Sequence, residues 1–335
     1  MAVNRQITLA ARPAGYPKPS DFKLVEGAVP EPKDGQVLVR ALWLSLDPYQ
    51  RGRMSAARSY AASIEIGAPI IGGIVGRVET SHNPRFAAGD IVEGWLGWQD
   101  YALSDGHDVR KVDPQLAPIQ TALGVLGMPG MTAYFGLLEI GRPRPGDTVV
   151  VSAASGAVGS LVGQIAGIMG CRVVGTAGRD DKVAWLTDEV GFDAAINYRT
   201  ADIDRAIAAA CPNGVDVYFD NVGGAVTEAV LRNLARFARV AICGQISQYN
   251  LTQAALAPSG LRFLLVKQAR MEGFLVFQFA DRYDEGRRRM AAWLRAGRIK
   301  YREDVVEGLE NAPEAFIGLM QGRNFGKLLV RVAAA

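Results

Sequence analysis

The rhythm of hydrophobic and polar positions changes near residue 120. Before it the chain shows short apolar runs punctuated by Pro and Gly, with few long helical patterns. Residues 37–42 (Val-Leu-Val-Arg-Ala-Leu) make one such run. Residues 70–78 make another, which their glycines are expected to bend, and residues 90–94 follow a Gly-Asp turn. This pattern predicts a β-rich unit of short strands. Helical spacing then appears over 131–140 and is broken by Gly-Arg-Pro-Arg-Pro-Gly-Asp at 141–147. From there apolar runs at 148–152, 172–177, 194–197, 215–219, 240–243 and 271–276 alternate with amphipathic stretches such as 158–169 and 182–190. Strands alternating with helices predict a parallel sheet covered on both faces. Residues 251–259 read as loop and 260–266 as helix. A last strand, 327–332, has no helix after it and is expected to return to the first unit. The expected fold class is α/β, a doubly wound parallel sheet plus a β-rich domain. The expected division is 1–125 with 300–335, against 126–299. No internal repeat or low-complexity linker interrupts it.

Composition narrows the chemistry. The chain has 335 residues, 49% hydrophobic and 21% charged, with a formal net charge of +3. That is enough chain for two cores and too mild a charge for a nucleic-acid partner. The N-terminus lacks the apolar run of a signal peptide, and no stretch approaches a membrane span, so a cytoplasmic protein is expected. Three Cys and two His are present. A four-Cys zinc site is excluded and a disulfide framework is not expected. His82 and His107 read as surface turn residues, and Cys171 and Cys243 as small buried hydrophobes. No metal ligand set is expected, and a zinc-dependent alcohol dehydrogenase is excluded by ligand count.

Between the strand at 148–152 and the helix after it lies Ser152-Ala153-Ala154-Ser155-Gly156-Ala157-Val158-Gly159. The dinucleotide fingerprint G-x-G-x-x-G would place its glycines at 154, 156 and 159, and the first is Ala154 here. Gly156 would let backbone approach a pyrophosphate, Gly159 would let helix and strand pack closely, and the helix N-terminus would favour the phosphates. An ordinary tight turn is the plainer alternative. Position, after a β-branched strand and before βα repeats, favours the nucleotide reading. At the end of the second strand stands Gly178-Arg179-Asp180-Asp181-Lys182 in place of an acidic ribose ligand. Gly178 leaves room, and Arg179 and Lys182 would neutralise a 2′-phosphate, so NADPH is expected over NADH. Asp180 is expected to cap the following helix. Tyr198 would reach the same phosphate or cap the sheet edge. Ligands in such folds sit beyond the carboxyl ends of the strands. That places the loops beginning Asp220-Asn221 and Gly244-Gln245 near a nicotinamide, with Tyr249 the best proton donor.

The sequence resembles the medium-chain dehydrogenase/reductase superfamily over essentially its whole length. It is most similar to the zinc-independent branch of prostaglandin reductases, 2-alkenal reductases and plant double-bond reductases. The carrying segments are Leu46-Asp47-Pro48-Tyr49, the run from Gly127 to Tyr134, the loop from Ala153 to Gly159, Phe219 to Gly224, Ile242 to Asn250, and Asn324-Phe325-Gly326-Lys327. Gln50, where Met is common, and the extra Arg179 are departures. The resemblance implies a Rossmann domain beside a GroES-like domain, and NADPH-dependent reduction of the C=C bond of α,β-unsaturated ketones or aldehydes. It implies cofactor contacts from Ala153, Gly156, Ala157, Val158, Gly159, Gly178, Arg179, Lys182 and Tyr198. Thr132, Asn221, Cys243, Ser247, Tyr249 and Asn324 complete that set, while Tyr249 and Tyr49 would face the substrate. It also implies a homodimer joined through the sixth strand. Phe274, Phe277 and Phe279 would line a pocket or interface, or pack in the core. A quinone reductase of the same superfamily and a non-catalytic NADPH-binding sensor or interaction module are the alternatives.

Overall fold

A computed structural model describes residues 3–253 and 260–334. The end of the loop expected at 251–259 therefore lies outside the described residues. The elements, in chain order, are β1 (Val3–Leu9), β2 (Phe22–Ala28), β3 (Val37–Ser45), α1 (Tyr49–Arg53), β4 (Ile74–Ser81), β5 (Ile91–Gly94), β6 (Tyr101–Ser104), β7 (Val109–Lys111) and α2 (Met128–Phe135). They continue with β8 (Thr148–Val151), α3 (Gly159–Ile168), β9 (Arg172–Ala177), α4 (Asp180–Asp188), β10 (Ala194–Asn197), α5 (Ile203–Ala210), β11 (Val215–Asp220) and α6 (Gly224–Arg232). The series ends with β12 (Leu234–Ile242), α7 (Leu261–Lys267), β13 (Arg270–Gly273), α8 (Tyr283–Arg295), β14 (Glu303–Glu307), α9 (Ala312–Met320) and β15 (Lys327–Arg331).

Two compact units result. One comprises Met1–Leu123, Glu303–Asn324 and Leu328–Ala335; the other comprises Gly124–Arg302 and Phe325–Lys327. The first holds the sheet β14-β15-β3-β4-β5-β7, with β6 also on β3, and the ribbon β1-β2. β3 is buried along nearly its whole length and is paired on both edges. Trp98, fully buried, stacks on Phe22 and meets Phe316 edge-on, which ties α9 into this core. The strand expected from residue 70 starts only at Ile74. Before it, the carbonyls of Ile70 and Gly72 accept from Trp98 N at 2.8 Å and Gly97 N at 3.0 Å, and a Cβ on Gly72 would stand 2.9 Å from both Gln50 Nε2 and Trp98 Nε1.

The second unit is a six-stranded sheet in the order β10-β9-β8-β11-β12-β13, parallel at every pairing. The chain winds outward one way from β8 and the other way from β11, which is the doubly wound Rossmann topology. β8 is buried at all four positions, as a strand covered on both faces must be. Helix and sheet meet closely around Phe192. A Cβ on Gly163 of α3 would overlap its ring, and one on Gly175 of β9 would lie 2.9 Å from it. The helix expected over 131–140 is α2 followed by a π-turn, Gly136–Gly141. Gly136 sits against Phe274 and Phe219, an approach any Cβ would block. The sixth strand is shorter than expected: β13 stops at Gly273 and a 3-10 stretch, Val276–Arg282, follows. Phe274 is buried against Phe219, Phe279 is half-buried and stacks on Phe135, and Phe277 is exposed. Gly163→Ala is expected to lower the unfolding free energy by about 1–3 kcal/mol through overpacking. Urea denaturation checks this, and Phe192→Leu in the same chain should restore part of the loss.

Candidate active site

The loop after β8 is shaped by backbone proximity. Ala153 takes a left-handed conformation, φ +48°. Its carbonyl accepts from Gly156 N at 3.0 Å. A Cβ on Gly156 would stand 3.2 Å from that oxygen, and one on Gly159 would overlap it and lie 2.9 Å from Ala154 Cα. Gly159 is thus required for α3 to start where it does. No side chain caps α3, whose N-cap is Val158, so its first amides point toward the loop without a side-chain acceptor from the cap. Ser160 Oγ donates back to Gly156 O at 2.9 Å. The returning segment Phe325–Lys327 lies on this loop: Gly326 N donates to Ser155 O at 3.1 Å, and Gly326 bridges Gly156.

At the end of β9, a Cβ on Gly178 would meet Tyr198 Oη at 2.9 Å and Arg199 Nε at 3.1 Å. The space that glycine leaves is therefore bordered by a phenol and a guanidinium. Lys182, in the first turn of α4, is buried, with Nζ 6.0 Å from the Phe325 ring centre. Two expectations change here. Asp180 is not the cap: Arg179 holds the N-cap position without a side-chain cap bond, and Asp180 Oδ1 accepts from Asn197 Nδ2 at 2.6 Å. Arg179 is ion-paired with Asp181, both exposed, so part of its charge is already answered. Arg199 is a border of this space that the sequence reading omits. Its signal is a long basic side chain directly after Tyr198, at the end of the third strand.

The switch between β8 and β11 is organised by Asp220, which is fully buried. Oδ1 accepts from Ser152 Oγ at 3.0 Å, Tyr218 Oη at 2.8 Å and the amides of Val222 and Gly223 at 2.9 Å each. Oδ2 accepts from Thr227 Oγ1 at 2.7 Å. Five donors replace the water that a buried carboxylate loses. Burial and this carboxylate hold the Tyr218 phenol well above its ordinary pKa. Asn221 is fixed beside it: its amide N–H donates to Ser152 Oγ and its Nδ2 to Ser152 O, both at 2.8 Å. Ser247 Oγ donates to Val222 O at 2.6 Å, and Cys243 N donates to Asp220 O at 2.8 Å. Tyr249 folds back over the start of its own loop. Its hydroxyl oxygen accepts from Gln245 N at 3.3 Å, and a Cβ on Gly244 would stand 3.0 Å from it. A phenol that accepts one bond can still donate its own proton. The structure thus brings Asn221, Cys243, Ser247 and Tyr249 to one loop cluster. The sequence reading does not count Asp220 itself among the site residues. An acidic residue closing an apolar strand is its signal.

The remaining candidates are held by other partners. Thr132 is buried in α2, and its hydroxyl donates to Met128 O at 2.8 Å. Tyr49 and Asn324 belong to the first unit. Tyr49 meets Trp95 edge-on at 5.4 Å, and its buried hydroxyl finds no hydrogen-bond partner among the described residues. Burial, with the Asp47 carboxylate second, holds this phenol well above its ordinary pKa. Gln50, fully buried, fixes the turn that carries Tyr49. It accepts from Asp47 N at 2.9 Å and donates to Ser45 O at 3.1 Å and Ile71 O at 3.0 Å. Among the described residues, no group of three or more His, Cys, Asp or Glu is placed to hold a metal ion.

Residues 5–112 match the family profile described as the N-terminal domain of oxidoreductases, and residues 157–292 match that of zinc-binding dehydrogenases. The NADPH-dependent curcumin reductase of Escherichia coli K12 is 47% identical over 335 residues, covering 98% of this chain and 97% of that one. The NADP(+)-dependent 2-alkenal reductase of Nicotiana tabacum is 44% identical, covering 98% of each. The crystal structure of CurA from Vibrio vulnificus in complex with NADPH is 48% identical, with a TM-score of 0.95, covering 99% of this chain and 100% of that one. The chain belongs to the zinc-independent branch of the medium-chain dehydrogenases/reductases. Within this branch of reductases the cluster around Asp220 occupies the switch point at which such sheets take ligands.

Two outcomes follow from this site. Asp220→Ala leaves three hydroxyls and two amides without their acceptor and is expected to cost about 3 kcal/mol or more of stability, measured by guanidinium denaturation. Burial raises the thiols of Cys171 and Cys211 to about 11, and burial with Asp220 raises Cys243 to about 12. A raised thiol pKa keeps the unreactive protonated form. At pH 8 at most about one thiol in a thousand is then ionised, so alkylation of the folded protein should be slow and should accelerate on unfolding.

Proposed function

We propose that this reductase transfers a hydride from NADPH to the β-carbon of an α,β-unsaturated ketone or aldehyde, saturating the C=C bond. One observation carries the reading: the Tyr249 phenol lies over the backbone of Gly244 and Gln245 in the loop cluster at the sheet's switch point, beside Asn221 and Ser247. The relatives' names supply the reaction class, for they are reductases of curcumin and 2-alkenals.

The residues present fit a 2′-phosphorylated dinucleotide. The loop of Ala153, Gly156, Ala157, Val158 and Gly159 leaves backbone exposed to a pyrophosphate at the start of α3. Gly178 leaves space bordered by Tyr198 and Arg199, with Lys182 and Arg179 in the following turn. These are the proposed phosphate contacts. Asn221, Cys243, Ser247, Tyr249, Thr132 and Asn324 are proposed for the remainder of the cofactor. When bound, NADPH supplies the hydride equivalent.

The chain's own residues do the rest. Hydride addition at the β-carbon leaves negative charge on the carbonyl oxygen, as an enolate. A hydrogen-bond donor aimed at that oxygen is worth more in the transition state than in the ground state. Tyr249 is the proposed donor. Its pre-set position over residues 244–245 spares the reaction the cost of ordering it. Protonation of the α-carbon completes the reaction, from Tyr249, Tyr49 or water. Tyr49 is kept neutral by its burial, so it is a phenol with its proton in place at ordinary pH.

The exposed edge strand β13 is the surface proposed to pair with a second copy in a homodimer. Among the described residues no helix is long and apolar enough to cross a membrane, and a cytoplasmic location is proposed. The experiment follows oxidation of NADPH with an enone, a 2-alkenal, a quinone and, in reverse, a simple alcohol with NADP. Turnover is expected with the first two. Preference for the quinone would replace this reading by quinone reduction. Tyr249→Phe should lower turnover on the enone by a factor of tens; an undiminished rate removes Tyr249 from the mechanism.

A further inference from the structure

Phe325 is an unusual point in the second unit. The segment that carries it is only three residues of that unit, Phe325–Lys327, reached after the chain has built α9 in the first. Those three residues are fastened by backbone to both sides of the nucleotide loop's surroundings. Gly326 N donates to Ser155 O at 3.1 Å, and Lys327 N donates to Arg302 O at 2.8 Å. Gly326 has φ +82°, and a Cβ there would overlap Arg302 O, so only glycine allows this approach.

The Phe325 ring gathers two cations. The Arg302 guanidinium carbon stands 3.8 Å from its centre, and Lys182 Nζ stands 6.0 Å from it. Trp185 closes one side edge-on at 5.2 Å. Contact at 3.8 Å is a stacked cation–π pair, which orients a planar guanidinium while leaving its N–H edge open to an anion. Among the described residues Arg302 has no carboxylate partner and no side-chain hydrogen bond, and its side chain is exposed. This contrasts with Arg179, which Asp181 already holds. Both cations lie within 6.0 Å of the centre of one ring, so an anion drawn to this end of the sheet meets positive charge from two sources.

We infer that Arg302, held flat by Phe325, is a further anion-binding residue of this protein, and that it takes a phosphate group of the dinucleotide together with Lys182. Phe325 is then a positioning residue, acting through the orientation of the guanidinium. The inference rests on the NADPH reading above. It adds a residue remote in sequence from the glycine loop, contributed by the link between α8 and β14.

Equilibrium binding tests it, read as quenching of the protein's own tryptophan fluorescence by NADPH and by NADH, without any substrate. Arg302→Ala is expected to raise the Kd for NADPH about tenfold, the size of one charge-assisted contact, and to flatten its dependence on salt. Phe325→Leu, which keeps apolar volume and removes the ring, should reproduce part of that loss, and Arg302→Lys should restore less than the wild-type affinity. A loss confined to NADPH assigns the 2′-phosphate; an equal loss with NADH assigns the pyrophosphate. Arg295→Ala, removing another exposed charge from the same unit, should change neither Kd. If Arg302→Ala binds NADPH as the wild type does while Lys182→Ala binds it weakly, the inference is overturned and the NADPH reading stands. If the wild type binds no NADPH, or Lys182→Ala loses nothing, the reading itself falls.

Discussion

A carboxylate without solvent needs every acceptor position answered, and Asp220 sets that constraint on the second unit. Its five donors come from the end of β8 (Ser152), from β11 itself (Tyr218), from the loop beyond β11 (Val222 and Gly223) and from α6 (Thr227). Losing any of them leaves charge in a low-dielectric interior. The network therefore holds the two central strands, the following loop and the next helix in one arrangement. Asn221 is fixed to Ser152 as a consequence. So is the loop from Cys243 to Tyr249, whose backbone and Ser247 hydroxyl bond to residues 220–222.

Close backbone approach does the corresponding work on the other side of β8. Gly159 permits α3 to begin against Ala153, and Gly163 and Gly175 admit Phe192 between helix and sheet. Gly326 admits the returning segment against Arg302. At each of these positions a single methyl group would displace main chain or a buried ring. The polar network and the glycine contacts meet in residues 152–159, which are held from below by Asp220 and Asn221 and flanked by Gly326.

Much of the second unit is legible along the chain. The strands at Arg172–Ala177 and Ala194–Asn197 start and stop where their apolar runs do, and Thr148–Val151 ends one residue short of its run. Parallel strands buried on both faces write continuous apolar runs into the sequence, and those are hard to misread. The first unit is harder to read. β1 pairs along its length with β2 and is otherwise paired only through isolated bridges at Pro69 and Gln99, and both strands show mixed exposure and leave no strong alternation. Within the second unit, β12 is legible only over its last residues. Arg236 and Phe237 break its apolar run and are both exposed, and Phe237 takes φ +63°.

The sequence by itself determined the alternation of strand and helix, the glycine loop after β8, the absence of an acidic ribose ligand at Gly178 and the poverty of Cys and His. Each is a property of neighbouring residues, and local periodicity or side-chain chemistry suffices to state it. Only the tertiary structure decided which charges are answered and which are available. Arg179 is held by Asp181 two residues away, Asp180 turns to Asn197, and Arg302 is stacked on a phenylalanine that follows it by 23 positions. Asp220 became the centre of the site because folding brings Ser152, at the end of β8, against the continuous stretch from Tyr218 to Thr227 that supplies its other donors. The free energy of a buried or stacked charge depends on what surrounds it in space, and the chain brings those surroundings together only by folding.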